Sequence, residues 1–316
     1  MNETPNILVV GSFVMDLIVS ARRLPENGET VLGTGFHTAP GGKGLNQAVQ
    51  AARWGARVTM VGCVGQDAYA DTMLRCAREV GVDVSHVKKT DVAPTAIGNV
   101  QLFQCCDGST QNRIVVVSGA NMCLRVEDVA FLKEEIQNFD MVMLQLEIPM
   151  DVNIAVARFA HVAGVPVMLN PAPAAEIPDE LLSLVTYLTP NETEAERISG
   201  MPLPRAEDGL NMEQVRRIAG ELRKKGPDHV IITLGDAGSL YYGGQFHHCP
   251  CVPGVCAVDP TAAGDSYIGA LAVALAAGEP VPVAMEKATH TAAITVSRMG
   301  AIPSLPLRTQ VEETMR

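Results

Sequence analysis

Short apolar, β-rich runs alternate along the chain with longer stretches whose apolar residues recur at helical spacing. The runs occupy residues 7–10, 58–61, 141–144, 165–169, 185–188 and 230–234. Each is nearly continuous in apolar residues, the pattern of strands covered on both faces. Between the first two, Leu45, Ala48, Val49 and Ala52 follow i, i+3, i+4, i+7 spacing up to Gly55, and residues 68–80 behave similarly up to Gly81. Glycine at those points suits the left-handed residue that ends a helix. The alternation predicts an α/β fold, a mostly parallel doubly wound sheet flanked by helices.

Three segments, 17–20, 30–37 and 95–117, break the alternation: they are short, β-patterned and interrupted by glycine and polar residues. They predict a small β-sheet inserted into the layer, with Asp107-Gly108 as a hairpin turn. Because its pieces all come from the first part of the chain, this sheet reads as a lid, from segments about 15–38 and 95–117, on a single domain spanning 1–316.

A chain of 316 residues with 47% hydrophobic and 19% charged residues can bury a sizeable core, which excludes disorder and rod-like repeats as the main architecture. The net charge of −11, with no basic block longer than Arg223-Lys224-Lys225, argues against a nucleic-acid partner. It does not argue against an anionic nucleotide, which helix N-termini and a cation can hold locally. The eight cysteines form no CxxC pair and no zinc-spaced array, so reduced cytoplasmic thiols are expected. Cys249-Pro250-Cys251 beside His247 and His248 reads as packing and not as a metal site. The start of the chain has no basic segment ahead of its apolar run, and the longest apolar stretch, residues 267–278, is shorter than the roughly 18 residues that span a bilayer. No membrane association is expected.

In an open α/β sheet, ligands bind beyond the carboxyl ends of the strands. The residues following the apolar runs are Gly11 and Asp16, then Asn170-Pro-Ala-Pro, then Thr189-Pro-Asn191-Glu-Thr-Glu194, then Gly235-Asp-Ala-Gly238. Two glycine-rich segments, 41–46 and 259–265, each lead into a helical stretch and can present bare backbone N–H groups at its start. In the second, Ala262, Ala263 and Gly264 leave the backbone open, and Asp265 lies in the first turn beside it. An anion hole next to a carboxylate suits phosphoryl transfer to an alcohol. GxxxxGK[ST] is absent and the turn after the first strand is not GxGxxG, so P-loop and dinucleotide folds are excluded.

The ordered set Gly11…Asp16, Gly41-Gly-Lys-Gly-Leu-Asn46-Gln-Ala, Glu147, Asn170-Pro-Ala-Pro-Ala, Thr189-Pro-Asn-Glu-Thr-Glu-Ala-Glu196, Thr233-Leu-Gly235 and Ala262-Ala-Gly-Asp265 resembles the ribokinase (PfkB) family of carbohydrate kinases over nearly the whole chain. The resemblance implies an ATP-dependent sugar kinase with a ribokinase-like fold. Asp265 then matches the catalytic base, with the backbone of Ala262, Ala263 and Gly264 as anion hole. Asp16, Gly42, Lys43, Asn46 and Glu147 match the sugar-binding set. Asn191 and Glu194 match a motif that organises Mg²⁺ and the ATP phosphates, Glu194 acting on the metal through water. Thr233, Gly235 and Gly238 match the nucleotide loop, and the stretch from Thr289 walls the adenine. Asp259, Thr261, Thr295, Arg298, Gly300 and Ser304 match a monovalent-cation site, mostly through carbonyls, so K⁺ activation is expected. Relatives also suggest a homodimer contact through the lid.

Two positions depart from the family pattern. Val14 stands where ribokinases carry an asparagine that contacts ribose hydroxyls, and Pro260 replaces a residue that is usually threonine, removing an N–H near the cation and phosphates. D-ribose phosphorylated at O5 is the leading reaction; Val14 brings 2-deoxy-D-ribose forward as the alternative, since an apolar side chain tolerates a methylene better than a hydroxyl. A non-catalytic sugar-binding regulator would not need Asp265. A nucleoside kinase would want a more apolar pocket than Lys43, Asn46 and Glu147 offer.

Overall fold

The computed structural model describes residues 4–104, 110–206 and 209–316. The chain enters through β1 (Asn6–Val10), turns, and continues as β2 (Val14–Ala21) and β3 (Gly33–Gly41). β3 runs into α1 (Lys43–Arg53), followed by β4 (Arg57–Gly65), α2 (Ala68–Glu79), β5 (Val87–Thr90), β6 (Ile97–Gln104) and β7 (Thr110–Val117). The short α3 (Leu132–Glu135) leads to β8 (Met141–Gln145), α4 (Met150–Ala163), β9 (Val167–Asn170), α5 (Asp179–Leu182) and β10 (Tyr187–Leu188). After these come α6 (Glu192–Ser199), β11 (Arg205–Ala206), β12 (Gly209–Leu210), α7 (Met212–Lys224), β13 (His229–Thr233), β14 (Ser239–Tyr242) and β15 (Phe246–Cys249). Three helices follow, α8 (Ala263–Ala276), α9 (Val281–Val296) and α10 (Arg308–Thr314).

The main sheet has the order β15-β14-β13-β10-β9-β8-β1-β4-β5. It is parallel from β13 to β5 and antiparallel at the β14–β15 edge. All six apolar runs lie in its parallel part. Two of them are shorter strands than their apolar content predicts. Val165 gives its N–H to Ala160 O and finishes the end of α4, and Val185 bonds back to Leu182 O after α5. Because neighbouring residues of a strand face opposite sides, Ile7 and Val9 pack toward α1, α2, α8 and α9, whereas Leu8 and Val10 pack toward α4 and α7. The apolar run of β1 is therefore buried on both faces, as its continuity requires.

Strand order reverses at β1. The chain moves outward through β4 and β5 on one side, then through β8, β9, β10 and β13 on the other. β1 and β8 are paired from Ile7↔Met141 to Val10↔Leu144, so the crevice for a ligand opens past Val10 and Gln145.

The small sheet is present, in the order β3-β2-β6-β7. β2 pairs parallel to β6 and antiparallel to β3, and β6 and β7 are antiparallel. β2 begins earlier than the pattern predicts and β3 is displaced toward Gly41, because the ladder starts at Val14↔Gly41, directly off the turn that leaves β1. The expected Asp107-Gly108 turn, with Cys105 and Cys106, lies outside the described residues. Leu32, Phe36, Ile114, Val115, Val116 and Val117 of this region are exposed. Among the described residues no helix is long and apolar enough to cross a membrane.

Candidate active site

Three structural pieces meet over the crevice: the β1–β2 turn, the start of α1 and the start of α8. The turn is clamped by Asn121, whose Oδ1 accepts the Phe13 N–H at 3.0 Å and whose Nδ2 donates to Phe13 O at 2.9 Å. α1 starts from Gly42 at φ 96, where a Cβ would stand 2.7 Å from Val14 N. A Cβ on Gly44 would stand 2.4 Å from Ser12 N. Only glycine lets the helix start approach the turn this closely.

This approach caps α1 from outside. Glu147 Oε2 accepts the Lys43 N–H at 3.0 Å and the Ser12 hydroxyl at 2.5 Å, while Ser12 Oγ accepts the Gly44 N–H at 3.2 Å. The expectation that both glycine-rich segments expose bare N–H groups is thus corrected for the first one: its N–H groups are satisfied by Ser12 and Glu147. α8 is different. Its N-cap, Ala262, sits at φ 60 in the left-handed region and supplies no side-chain cap. Ala263 N–H turns to Pro260 O at 3.2 Å. The open donors of the first turn are therefore those of Gly264 and Asp265, which precede any helical acceptor. Alanine in that conformation costs about 1 kcal/mol of local strain.

Asp265, buried at the start of α8, receives Asn46 Nδ2 on Oδ2 at 2.9 Å and Gln47 Nε2 on Oδ1 at 3.0 Å. Burial raises its pKa, opposed by Lys43, Asn46 and Gln47, with Glu147 adding to the rise. Lys43 itself is desolvated, yet the carboxylates of Asp265, Glu147 and Glu194 hold its ammonium above the ordinary value. On the other flank, burial first and Glu147 second raise Asp16 to about 6. Gly98 and Gly41 make room for that carboxylate: a Cβ on Gly98 would stand 2.2 Å from Asp16 Oδ1, and one on Gly41 3.2 Å from Oδ2. The same Gly41 position is 3.9 Å from Asn46 Oδ1, which is buried with no hydrogen-bond partner. Asn46 thus gives its amide to Asp265 and turns an unsatisfied oxygen toward Asp16. A polyhydroxylated ligand with hydroxyls between the two aspartates would satisfy it.

Residues 4–308 match the family model described as pfkB family carbohydrate kinase. The chain belongs to this family of carbohydrate kinases. It is 38% identical to a ribokinase of Bacillus subtilis over 311 residues, covering 98% of this chain and 99% of that one. It is 34% identical to a deoxyribokinase of Salmonella typhimurium over 310 residues, 98% of each. The solved structure of Arabidopsis thaliana ribokinase complexed with ribose and ATP superposes with a TM-score of 0.89 at 34% identity, covering 99% of both chains.

The remaining residues matched to the pfkB pattern are placed as follows. Asn191 and Glu194 form a reciprocal capping box at the start of α6: Asn191 Oδ1 accepts the Glu194 N–H at 2.9 Å, and Glu194 Oε2 accepts the Asn191 N–H at 2.8 Å. Burial raises the Glu194 pKa, opposed by the Asn191 N–H and Lys43. Each Glu194 oxygen keeps a free lone pair, which fits a carboxylate that reaches a hydrated Mg²⁺. Thr233 bridges Asn191 at the end of β13 and is followed by Gly235 and Gly238. A Cβ on Gly238 would stand 2.1 Å from Cys249 O, so this loop lies tight against the segment after β15. Between that segment and α9 is a cavity of about 410 Å³ lined by Cys249, Cys251, Val252, Glu286, Thr289 and His290, among others. Thr289 lines it, although its hydroxyl is turned back to Met285 O at 2.9 Å.

The cation set gathers where the loop before α8 meets the end of α9. Asp259 accepts the Thr261 N–H at 2.9 Å and the Gly300 N–H at 2.8 Å; burial raises its carboxyl, but the Thr261 hydroxyl first and these N–H groups next hold it below the usual range. Thr295 and Ser304 are buried with their hydroxyls on Thr291 O and Ala301 O. Their side chains brace the site, leaving Asp259 and loop carbonyls as the oxygen donors, a set that fits a hard monovalent cation. Arg298 contributes no side-chain oxygen; its guanidinium reaches Gln310 Oε1 at 3.4 Å. Among the described residues no cluster of three or more His, Cys, Asp or Glu side chains is placed to hold a metal. Cys251 Sγ donates to Gly235 O at 3.1 Å.

The sequence patterns missed Ser12, Gln47 and Gln145. Ser12 has a positional signal, since it follows the first strand where strand order reverses. Gln145 has the same kind of signal, directly after the run 141–144, whereas Gln47 has none: it is fully buried on α1, beneath α8. Gly269 of α8 permits the contact, as a Cβ there would stand 2.8 Å from Gln50 Cβ.

Proposed function

We propose that this pfkB-family kinase transfers the γ-phosphoryl of ATP to O5 of a pentose, with D-ribose as the first candidate. The observation that carries the reading is the Asn46 amide, bonded to Asp265 on one side and holding a buried, unpartnered oxygen beside Asp16 on the other. The ribokinase relatives, and the ribose and ATP bound by the Arabidopsis protein, support the same substrate pair.

In the proposed mechanism Asp16, Asn46, Lys43 and the free Glu147 oxygen bind the sugar hydroxyls, and Gly42 keeps the helix start close enough for them to converge. This places O5 against Asp265, which accepts its proton as the phosphoryl arrives. The Gly264 and Asp265 N–H groups stabilise the charge on the phosphoryl oxygens. Lys43 keeps the three surrounding carboxylates from repelling the phosphates. Mg²⁺, held near Glu194 and Asn191, would neutralise phosphate charge, and K⁺ beside Asp259 would brace the α8 loop. Thr233, Gly235, Gly238 and Thr289 line the path of the nucleotide, with its base in the cavity beside α9. The small sheet acts as the lid, and its exposed apolar residues support a homodimer contact. We place the enzyme in the cytoplasm.

A second reading, 2-deoxy-D-ribose, is favoured by Val14. It is buried on the same face of β2 as Asp16, and its Cγ1 lies 3.7 Å from the point where a Gly98 Cβ would stand. The deoxyribokinase relative agrees with it. The test is ATP consumption over D-ribose, 2-deoxy-D-ribose, fructose and nucleosides, with and without K⁺. No turnover on any sugar would sink the kinase reading. A Val14→Asn variant that shifts the ribose to deoxyribose ratio of kcat/KM toward ribose by about tenfold, one hydrogen bond's worth, would make Val14 the specificity residue.

A further inference from the structure

We infer that Gln47, held by Gln145, is a positioning residue that fixes the carboxylate of Asp265 for proton transfer. This rests on the assignment of Asp265 as the base.

The orientation of the Gln47 amide is decided by its neighbours. Its Nε2 donates to Asp265 Oδ1 at 3.0 Å and to Asn170 Oδ1 at 3.2 Å, while its Oε1 accepts Gln145 Nε2 at 2.7 Å. Asn170 presents its oxygen because its own Nδ2 is used by Thr189 O at 3.1 Å. Reversing the Gln47 amide would set its oxygen against two acceptors and its NH₂ against a donor, so one orientation survives. Gln145 is seated by the Asn153 side chain and by the space beside Gly11. Its carbonyl accepts Asn153 Nδ2 at 2.9 Å, and its Oε1 occupies the space that Gly11 leaves, 2.1 Å from where a Cβ would stand.

Gln47 and Gln145 are both fully buried, so neither is a sugar ligand competing with Asp16 or Lys43. A buried amide chain of this kind costs desolvation wherever a bond is left unmade, and Gln145 Oε1 is buried with no hydrogen-bond partner. The chain ends on the group that must be ionised and correctly aimed. Hydrogen bonds to the charged form of a carboxylate lower its pKa, and a donor on Oδ1 together with Asn46 on Oδ2 locks rotation of the carboxylate plane. The charged groups facing Asp265 are Lys43 from α1, Glu147 after β8 and Glu194 from α6. All three remain in place when the amides are changed.

The experiment is the pH profile of kcat at saturating sugar and ATP for wild type, Gln47→Met and Gln145→Met, with melting temperatures as the check on folding. Gln47→Met removes the donor at similar volume; Gln145→Met leaves Gln47 but removes what orients it. The acid limb of kcat should move up by about one pH unit in Gln47→Met and by less in Gln145→Met, with sugar KM within about twofold of wild type. A folded Gln47→Met or Gln145→Met enzyme whose acid limb coincides with wild type overturns the inference, even if kcat is lower. If Gln47→Met fails to fold, Gln145→Met decides alone. Failure of the underlying reading looks different: Asp265→Asn would then turn over like wild type.

Discussion

Replacing Asp16 by asparagine should stabilise the free protein while destroying its sugar response. In the fold, burial and the nearby Glu147 raise Asp16 from 3.8 to about 6. An acid whose folded pKa is raised binds its proton more tightly folded than unfolded, so its ionisation subtracts from stability. The loss accumulates as pH rises from about 4 to about 6 and persists above. Two units correspond to about 3 kcal/mol, and solvent access to the crevice reduces this to about 1.5 kcal/mol. For a chain of this size that is a rise of about 3 °C in melting temperature for Asp16→Asn at pH 7.5. At pH 5 the folded carboxyl is mostly protonated while the unfolded one is already ionised, so the difference should fall to about half; it vanishes only below both pKa values. A general effect of removing one negative charge would persist undiminished at pH 5, where exposed aspartates remain ionised. Thermal melts at both pH values, with and without D-ribose, read all of this. Wild type should gain stability from the sugar, by about 2.7 kcal/mol at a hundredfold excess over Kd, and the variant should gain almost none. Equal melting temperatures at pH 7.5, or an offset unchanged at pH 5, would refute the reasoning.

Three further outcomes are expected. Asp265→Asn should lose roughly 10²–10⁴ of kcat while calorimetry still detects sugar binding, because a general base contributes on that scale. Gly11→Ala should cost about 1–3 kcal/mol in urea unfolding, since its Cβ would stand 2.1 Å from Gln145 Oε1 and 2.9 Å from Gly44 Cα. Ala262→Gly should change stability by less than about 0.5 kcal/mol, because relief at φ 60 offsets added chain entropy, whereas Ala262→Val should lose about 1–3 kcal/mol in the same assay.

Much of the site was legible because its residues sit at strand ends and helix starts, which leave local marks. Asn191 and Glu194 carry the spacing of a capping box, and Ala262, Ala263 and Gly264 mark a turn with its backbone exposed. The role of Glu147 was only half legible. As a polar residue after a strand it reads as a ligand, but it also caps α1 from a distant part of the chain through Lys43 N–H. Thr295 and Ser304 look like cation ligands by position, yet helix and turn carbonyls take their hydroxyls. Gln47 was illegible because a helix carries its polar flank to solvent unless another helix covers it.

The sequence by itself determined the class of the fold and where its polar strand ends and open helix starts fall. Continuous apolar runs can be stable only as strands buried on both faces, and small residues before Asp265 leave an open helix start whatever surrounds it. Only the tertiary structure decided which groups share a hydrogen. The reversal of strand order between β1 and β8 brings Ser12 and Glu147 onto α1, and the close packing of α8 on α1 at Gly269 sets Asn46 and Gln47 against Asp265. Apart from Ser12 and Gly44, these partners lie more than a hundred residues apart, and such pairings depend on packing that no local pattern encodes.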